Sequence, residues 1–175
     1  DLNDQDLSVN DVRALTEKLW SVGVTTYLPT LITNSSDRIT RLLKTISGAC
    51  RSSEIIRDSI GGIHLEGPFI SPADGPRGAH PMKFVRPPDW DLFSRWQETA
   101  SGMIRIITLS PEWPESKDFI SRCVRSGVKV AIGHTSATGD MIRSAVDSGA
   151  TLSTHLGNAS HQMLPRHDNY IWEQL

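Results

Sequence analysis

Five short apolar segments, at 24–30, 62–67, 103–109, 128–134 and 150–156, alternate along the chain with segments whose apolar residues recur at helical spacing. That alternation predicts an α/β fold built on a parallel sheet. Parallel neighbours need a crossover of a dozen or more residues, and an amphipathic helix is the usual one. A first helix is expected on Val9, Val12, Leu15 and Leu19, with Ser8 and Asp11 as its capping signal and Gly23 as its stop. A second is expected on Ile39, Leu42, Leu43 and Ile46, capped by Ser35 or Ser36 and closed before Gly48. Trp90, Phe93 and Trp96 mark a third, with the rings read as core. Phe119, Ile120, Cys123 and Val124 mark a fourth, and Met141, Ile142, Ala145 and Val146 a fifth, closed by Gly127 and Gly149. With 38% hydrophobic and 22% charged residues in 175, the chain has the composition of one ordinary globular domain, taken as residues 1–175.

Three of the strands carry polar residues that a buried strand does not need. In Gly62-Ile63-His64-Leu65-Glu66-Gly67-Pro68-Phe69 an imidazole and a carboxyl stand two residues apart, so both point to one side of the strand. Burying them is costly unless something pairs them, and a metal ion or a bound substrate would do so. Val128-Lys129-Val130-Ala131-Ile132-Gly133-His134-Thr135 and Ala150-Thr151-Leu152-Ser153-Thr154-His155-Leu156 each bring one histidine to a strand's C-terminal end, as the first brings Glu66. Ligand sites of open α/β sheets and of (β/α)8 barrels lie at that edge. Glu66, His134 and His155 together make a two-histidine, one-carboxylate set of the kind that binds Zn²⁺ and leaves a position for water. Such an ion lowers the pKa of water towards about 7 and polarises a carbonyl, which is the chemistry of metal-assisted hydrolysis. On the pattern alone, three satisfied core groups are the alternative. Fe²⁺ accepts the same ligands as Zn²⁺.

Ser71 to Pro88 is the one long irregular stretch, dense in Pro and Gly, and reads as a lid over a site or else as a surface insertion. The formal charge of −2, without a basic cluster, argues against nucleic acid as a partner. No apolar run approaches the roughly 20 residues of a membrane span, and no signal-peptide pattern stands at the start. Cys50 and Cys123 lack CxxC spacing and read as reduced packing residues, as suits a cytoplasmic protein. The chain opens on Asp1 rather than Met, and Tyr170 to Leu175 reads as the opening of another helix, so a piece of a larger protein is expected.

His64-Leu65-Glu66-Gly67-Pro68-Phe69, Gly78-Ala79-His80-Pro81, Gly133-His134-Thr135 and Thr154-His155-Leu156-Gly157-Asn158-Ala159 follow one another in an order that resembles the N-acetylglucosamine-6-phosphate deacetylase family of the amidohydrolase superfamily. The resemblance runs over essentially the whole chain. It implies part of a (β/α)8 barrel and one divalent metal ion, held by Glu66, His134 and His155. It also implies a phosphorylated amino sugar as the small-molecule substrate, with His80 reaching the sugar. Asn158 and Ala159 would form a turn that helps to hold the phosphate, and Arg166 would pair with it, a role suited to a guanidinium. His64 matches no ligand and is expected behind the site or packed on the inner face, and His161 and His167 are expected in loops.

Two positions depart from the family pattern: Gly157 stands where an aromatic residue is usual, and Ser160 where a methionine is. They motivate a second reading, a deacetylase for another N-acetylated amino sugar. The resemblance also places the general acid and base, an aspartate, beyond Leu175, so no catalytic proton-transfer residue is assigned within the chain. A third reading follows, a catalytically silent metal- or sugar-phosphate-binding module. The unpaired edges of a partial barrel invite association with another chain, a homo-oligomer included.

Overall fold

The structure, a computed structural model, describes residues 2–175. Five parallel strands lie side by side in chain order: β1 (Thr30–Ile32), β2 (Ile63–Glu66), β3 (Ile104–Leu109), β4 (Lys129–Ile132) and β5 (Leu152–Ser153). Sequential order with a crossover between each pair is the pattern of consecutive strands in a (β/α)8 barrel. Helices α1 (Val9–Ser21), α2 (Ser36–Ser52), α3 (Glu54–Ser59), α4 (Trp90–Thr99), α5 (Ser116–Arg125) and α6 (Gly139–Asp147) complete it, with 3₁₀ turns at Met82–Phe84 and Trp172–Gln174.

Local chemistry accounts for most helix starts. The Ser8 hydroxyl accepts from the Asp11 N–H while the Asp11 carboxylate accepts from the Ser8 N–H, a reciprocal cap on α1. Ser35, Asp89 and Thr138 cap α2, α4 and α6 in the same sense, each accepting from an N–H three residues on. The apolar faces of these helices cover one face of the sheet, where Leu31, Ile63, Leu65, Ile107, Leu109, Val130 and Ile132 are buried. Phe69, Phe93, Trp96 and Phe119 form the densest part of that core, with Phe119 edge-on to Phe69 at 5.1 Å and to Phe93 at 5.6 Å.

The opposite face carries polar groups. There His64 Nε2 meets the Thr108 hydroxyl at 2.7 Å, and Thr108 meets the Thr154 hydroxyl at 2.8 Å. This hydrogen-bonded row crosses from β2 to the end of β5 and satisfies groups that would be costly to bury alone. His64 is thus an inner-face group. Burial lowers its pKa, a push that the nearby Glu66 carboxylate opposes and the His155 imidazole reinforces.

Four elements differ most from expectation. The first strand is Thr30–Ile32 rather than 24–30, because Pro29 has no N–H to give a ladder and only Tyr27 forms an isolated bridge before it. The last strand shrinks from 150–156 to Leu152–Ser153; it pairs with β4 on one side alone. Helix α2 runs through Gly48 to Ser52, since burial of Ala49 and Cys50 outweighs the roughly 1 kcal/mol that an interior glycine costs. The short helix α3 has too few residues to show a period and was not expected from the pattern. Among the described residues no helix is long and apolar enough to cross a membrane.

Candidate metal centre

The C-terminal ends of β2, β4 and β5 converge on one carboxylate oxygen. Glu66 Oε1 lies 2.7 Å from His134 Nε2, 3.0 Å from His155 Nε2 and 3.7 Å from His80 Nε2. One nitrogen from each of His134 and His155, and one oxygen from Glu66, fall within 4.8 Å of one another. Glu66 ends β2 itself; His134 and His155 each stand two residues past the end of their strands, with left-handed backbones at φ 50° and 54°. That conformation is uncommon outside glycine, though histidine is among the residues that adopt it.

Close approach of backbones makes room for this convergence. Gly67, directly after Glu66, has φ +83°, and a Cβ there would fall 2.1 Å from the Thr33 hydroxyl oxygen. At Gly133 a Cβ would fall 2.8 Å from that of Thr154, so glycine lets the ends of β4 and β5 close up in front of their two histidines.

Hydrogen bonds to the far nitrogens decide how the rings present themselves. The Pro76 carbonyl can only accept, so His134 Nδ1–H donates to it at 2.9 Å and Nε2 faces Glu66. The Thr33 hydroxyl donates to the Glu66 carbonyl and accepts from His80 Nδ1 at 2.7 Å, which turns His80 Nε2 to the same place. Lone pairs of nitrogen and oxygen aimed at one point repel unless a proton or a cation lies among them. The donor set, two imidazoles and a carboxylate, with the far nitrogen of His134 held by the Pro76 carbonyl, fits a divalent ion.

Electrostatics agree. Burial works to raise the Glu66 carboxyl, but the His134 and His80 imidazoles beside it prevail and hold it well below the usual carboxylate range. Glu66 is therefore an anion, hemmed in by the rings of His80 and His134 at 4.3 Å and of His134 and His155 at 5.3 Å between centroids.

The other expected site residues lie around this cluster to different degrees. His80 comes from the stretch Ser71 to Pro88, which folds over the strand ends and also supplies the Pro76 carbonyl. Asn158 and Ala159 follow His155 in a tight turn with φ +82° at Gly157 and +46° at Ala159. That turn lines a small cleft together with His134, Thr135, His155 and Tyr170. Arg166 is exposed on the following loop, outside that cleft, and makes no hydrogen bond or ion pair among the described residues. His161 meets the Tyr170 hydroxyl at 3.0 Å, away from Glu66, and His167 is exposed on the same loop as Arg166. Sequence reasoning passed over Thr33 and Pro76. Thr33 just past the end of β1 was the available signal, being a polar residue at the strand edge where sites form; a backbone carbonyl leaves none.

No protein-family model matches the chain. Curated proteins do. The chain is 35% identical over 156 residues to N-acetylglucosamine-6-phosphate deacetylase of Bacillus subtilis, and 37% identical over 161 residues to that of Bos taurus. These matches take in 88% and 89% of the chain but 39% and 37% of the relatives, so the chain spans less than half of their length. Among solved structures, the Mycobacterium smegmatis enzyme, an aspartate-to-alanine mutant in complex with N-acetyl-D-glucosamine-6-phosphate, superposes with a TM-score of 0.83 at 31% identity. That match covers 94% of this chain and 41% of that one. In sequence and in fold alike, the chain belongs to the N-acetylglucosamine-6-phosphate deacetylase family.

Proposed function

We propose that this chain carries the metal-binding part of an active site that hydrolyses N-acetylglucosamine 6-phosphate to glucosamine 6-phosphate and acetate. The observation that carries the reading is the convergence of Glu66, His134 and His155 on one point, with the His134 tautomer set by a carbonyl 58 residues away. The names of the relatives, and the substrate bound in the Mycobacterium smegmatis structure, supply the substrate class.

Glu66, His134 and His155 would hold one divalent ion, with Zn²⁺ the best fit to the donors and Fe²⁺ the alternative. When bound, such an ion supplies Lewis acidity towards water and the acetamide carbonyl. His80, held by Thr33 beside Glu66, would reach the bound sugar. The turn at Asn158 and Ala159, shaped by the left-handed residues Gly157 and Ala159, would help to hold the phosphate. Arg166, exposed and without an ion pair among the described residues, would close on the same phosphate as a bidentate partner. Hydrolysis adds the water oxygen to the acetyl carbon and breaks the C–N bond, and the leaving amine takes a proton. We assign that transfer to an aspartate beyond Leu175, as the resemblance to the family implies. The buried free thiols of Cys50 and Cys123 favour a reducing, cytoplasmic setting.

A second substrate is favoured by one observation. A side chain built at Gly157 would meet nothing within 4 Å, so the wall beside Asn158 is open where the family usually has a ring. Another N-acetylated amino sugar would fit that wider pocket.

The test is acetate release by the full-length protein, with and without a chelator, from N-acetylglucosamine 6-phosphate, from unphosphorylated N-acetylglucosamine and from other N-acetylhexosamine phosphates. Metal-dependent release that favours the first supports the reading. Release unaffected by chelation, or unchanged in Glu66→Ala, overturns it.

A further inference from the structure

At the end of β3 stands a carboxylate that the proposed reaction does not use. Glu112 accepts at Oε1 from the Ser71 hydroxyl, at 3.0 Å, and at Oε2 from the Ser110 hydroxyl at 2.7 Å and the Ser136 N–H at 2.8 Å. Ser71 and Ser110 are fully buried, while Glu112 and Ser136 are partly so. Their donors come from three places: the root of the stretch Ser71 to Pro88, the end of β3, and the loop two residues after His134.

The Ser71 and Ser136 connections lead to His134. The Ser71 N–H donates to the His134 carbonyl at 2.8 Å. Ser136, the other partner, fixes the chain on the C-terminal side of that carbonyl. Ser71 also roots the stretch whose Pro76 carbonyl takes the His134 Nδ1 proton. A non-glycine residue at φ 50° persists only when its surroundings over-determine it, and these bonds are what surrounds His134. We infer that Glu112 is a positioning residue for the metal centre: it ties the His134 backbone and the root of the Ser71–Pro88 stretch together, so that His134 Nε2 is presented to Glu66 before any ion arrives. The inference rests on the metal-site reading above.

The geometry also says which substitutions preserve the tie. Glutamine can keep its oxygen where Oε2 stands, accepting from Ser110 and Ser136, while its NH₂ faces the Ser71 hydroxyl, which can turn to accept. Alanine loses all three acceptor contacts and leaves the Ser136 N–H without its partner.

The experiment uses the full-length protein and measures Zn²⁺ affinity by competition with a chromophoric chelator, for wild type, Glu112→Ala, Glu112→Gln and Thr16→Val. Groups that orient metal ligands typically change affinity about 10–100-fold, so Glu112→Ala should bind more weakly by that factor while Glu112→Gln stays within a few-fold of wild type. Thr16, buried in α1 and bonded to the Val12 carbonyl and the Tyr27 hydroxyl, serves as a control that lowers stability without touching the site. Its affinity should not move. In the metal-free protein, nitrogen NMR of the imidazoles should report the Nδ1–H form of His134 in wild type and Glu112→Gln, and a mixed population in Glu112→Ala. Equal affinity in wild type and Glu112→Ala overturns the inference, as does a loss in Thr16→Val equal to that in Glu112→Ala. A loss in Glu112→Gln as large as in Glu112→Ala would overturn it too, by making the charge rather than the hydrogen bonds the cause. Failure of the wild type to bind Zn²⁺ at all would strike the metal-site reading itself, a result distinct from any of these.

Discussion

His134 and His155 hang from adjacent strands, share a left-handed backbone and aim Nε2 at the same oxygen of Glu66, yet their surroundings differ. The His134 side chain is 4% exposed and has its second nitrogen bonded to Pro76; that of His155 is 46% exposed and has no second hydrogen bond among the described residues. The difference follows from position in the sheet. β4 has a strand on each side and the Ser71–Pro88 stretch above it, whereas β5 pairs on one side only. A ligand becomes pre-organised when neighbours can reach its far atom, and an edge position offers few.

The sharpest way to break this comparison is to remove each ring in turn. His134→Ala should abolish measurable Zn²⁺ binding, because a ligand and the anchor of the covering stretch go together. His155→Ala should leave weak binding through Glu66 and His134, with His80 nearby. Isothermal titration of both variants decides, and the reverse order would refute the idea that anchoring sets the hierarchy.

Next comes the backbone that brings the anchored half together. Gly67→Ala should destabilise the fold by about 1–3 kcal/mol, since it forces a left-handed alanine against Thr33. Urea unfolding would measure it. Adding Thr33→Ala should recover only part of the loss, because the backbone strain stays after the clash is relieved.

A gentler probe is amide exchange in the unmodified protein. The N–H groups of Ser71 and Ser136, both bonded near His134, should exchange slowly, and those of Leu156 to Ser160, beyond β5, quickly. Similar protection in both segments would erase the contrast between the two strand ends.

The smallest effect lies behind the anchored strand. Burial pushes the Cys123 thiol, on α5, up to about 12 from an ordinary value of 9.0. A raised pKa means that the folded state holds its proton longer, so this contribution is whole below about pH 9 and is lost as the pH climbs towards 12. By pH 10 it should have fallen by about 1 kcal/mol, a decline that Cys123→Ala lacks. Urea midpoints at pH 8 and 10 would show it.

Much of the molecule was readable before any coordinates. Periods of two and of 3.6 residues separated strands from helices, and the capping pairs at Ser8 and Ser35 marked helix starts, because these signals depend on neighbours a few residues apart. Where the signal was ambiguous, packing overruled it. The β-branched run Val24-Thr25-Thr26 looks like a strand but remains exposed, while Gly48 looks like a stop but sits inside a helix whose next residues are buried.

The sequence by itself determined that one acid and two histidines would stand at the C-terminal ends of three strands, since the strand pattern and side-chain alternation depend on residues a few positions apart. Only the tertiary structure decided which nitrogen each histidine presents, that His80 and Pro76 arrive from one stretch to meet them, and that Glu112 gathers Ser71, Ser110 and Ser136. The physical reason is that a tautomer or a held backbone is chosen by a hydrogen-bond partner. Apart from Ser110, those partners lie 24 to 58 residues away along the chain and become neighbours only when the strands are laid side by side.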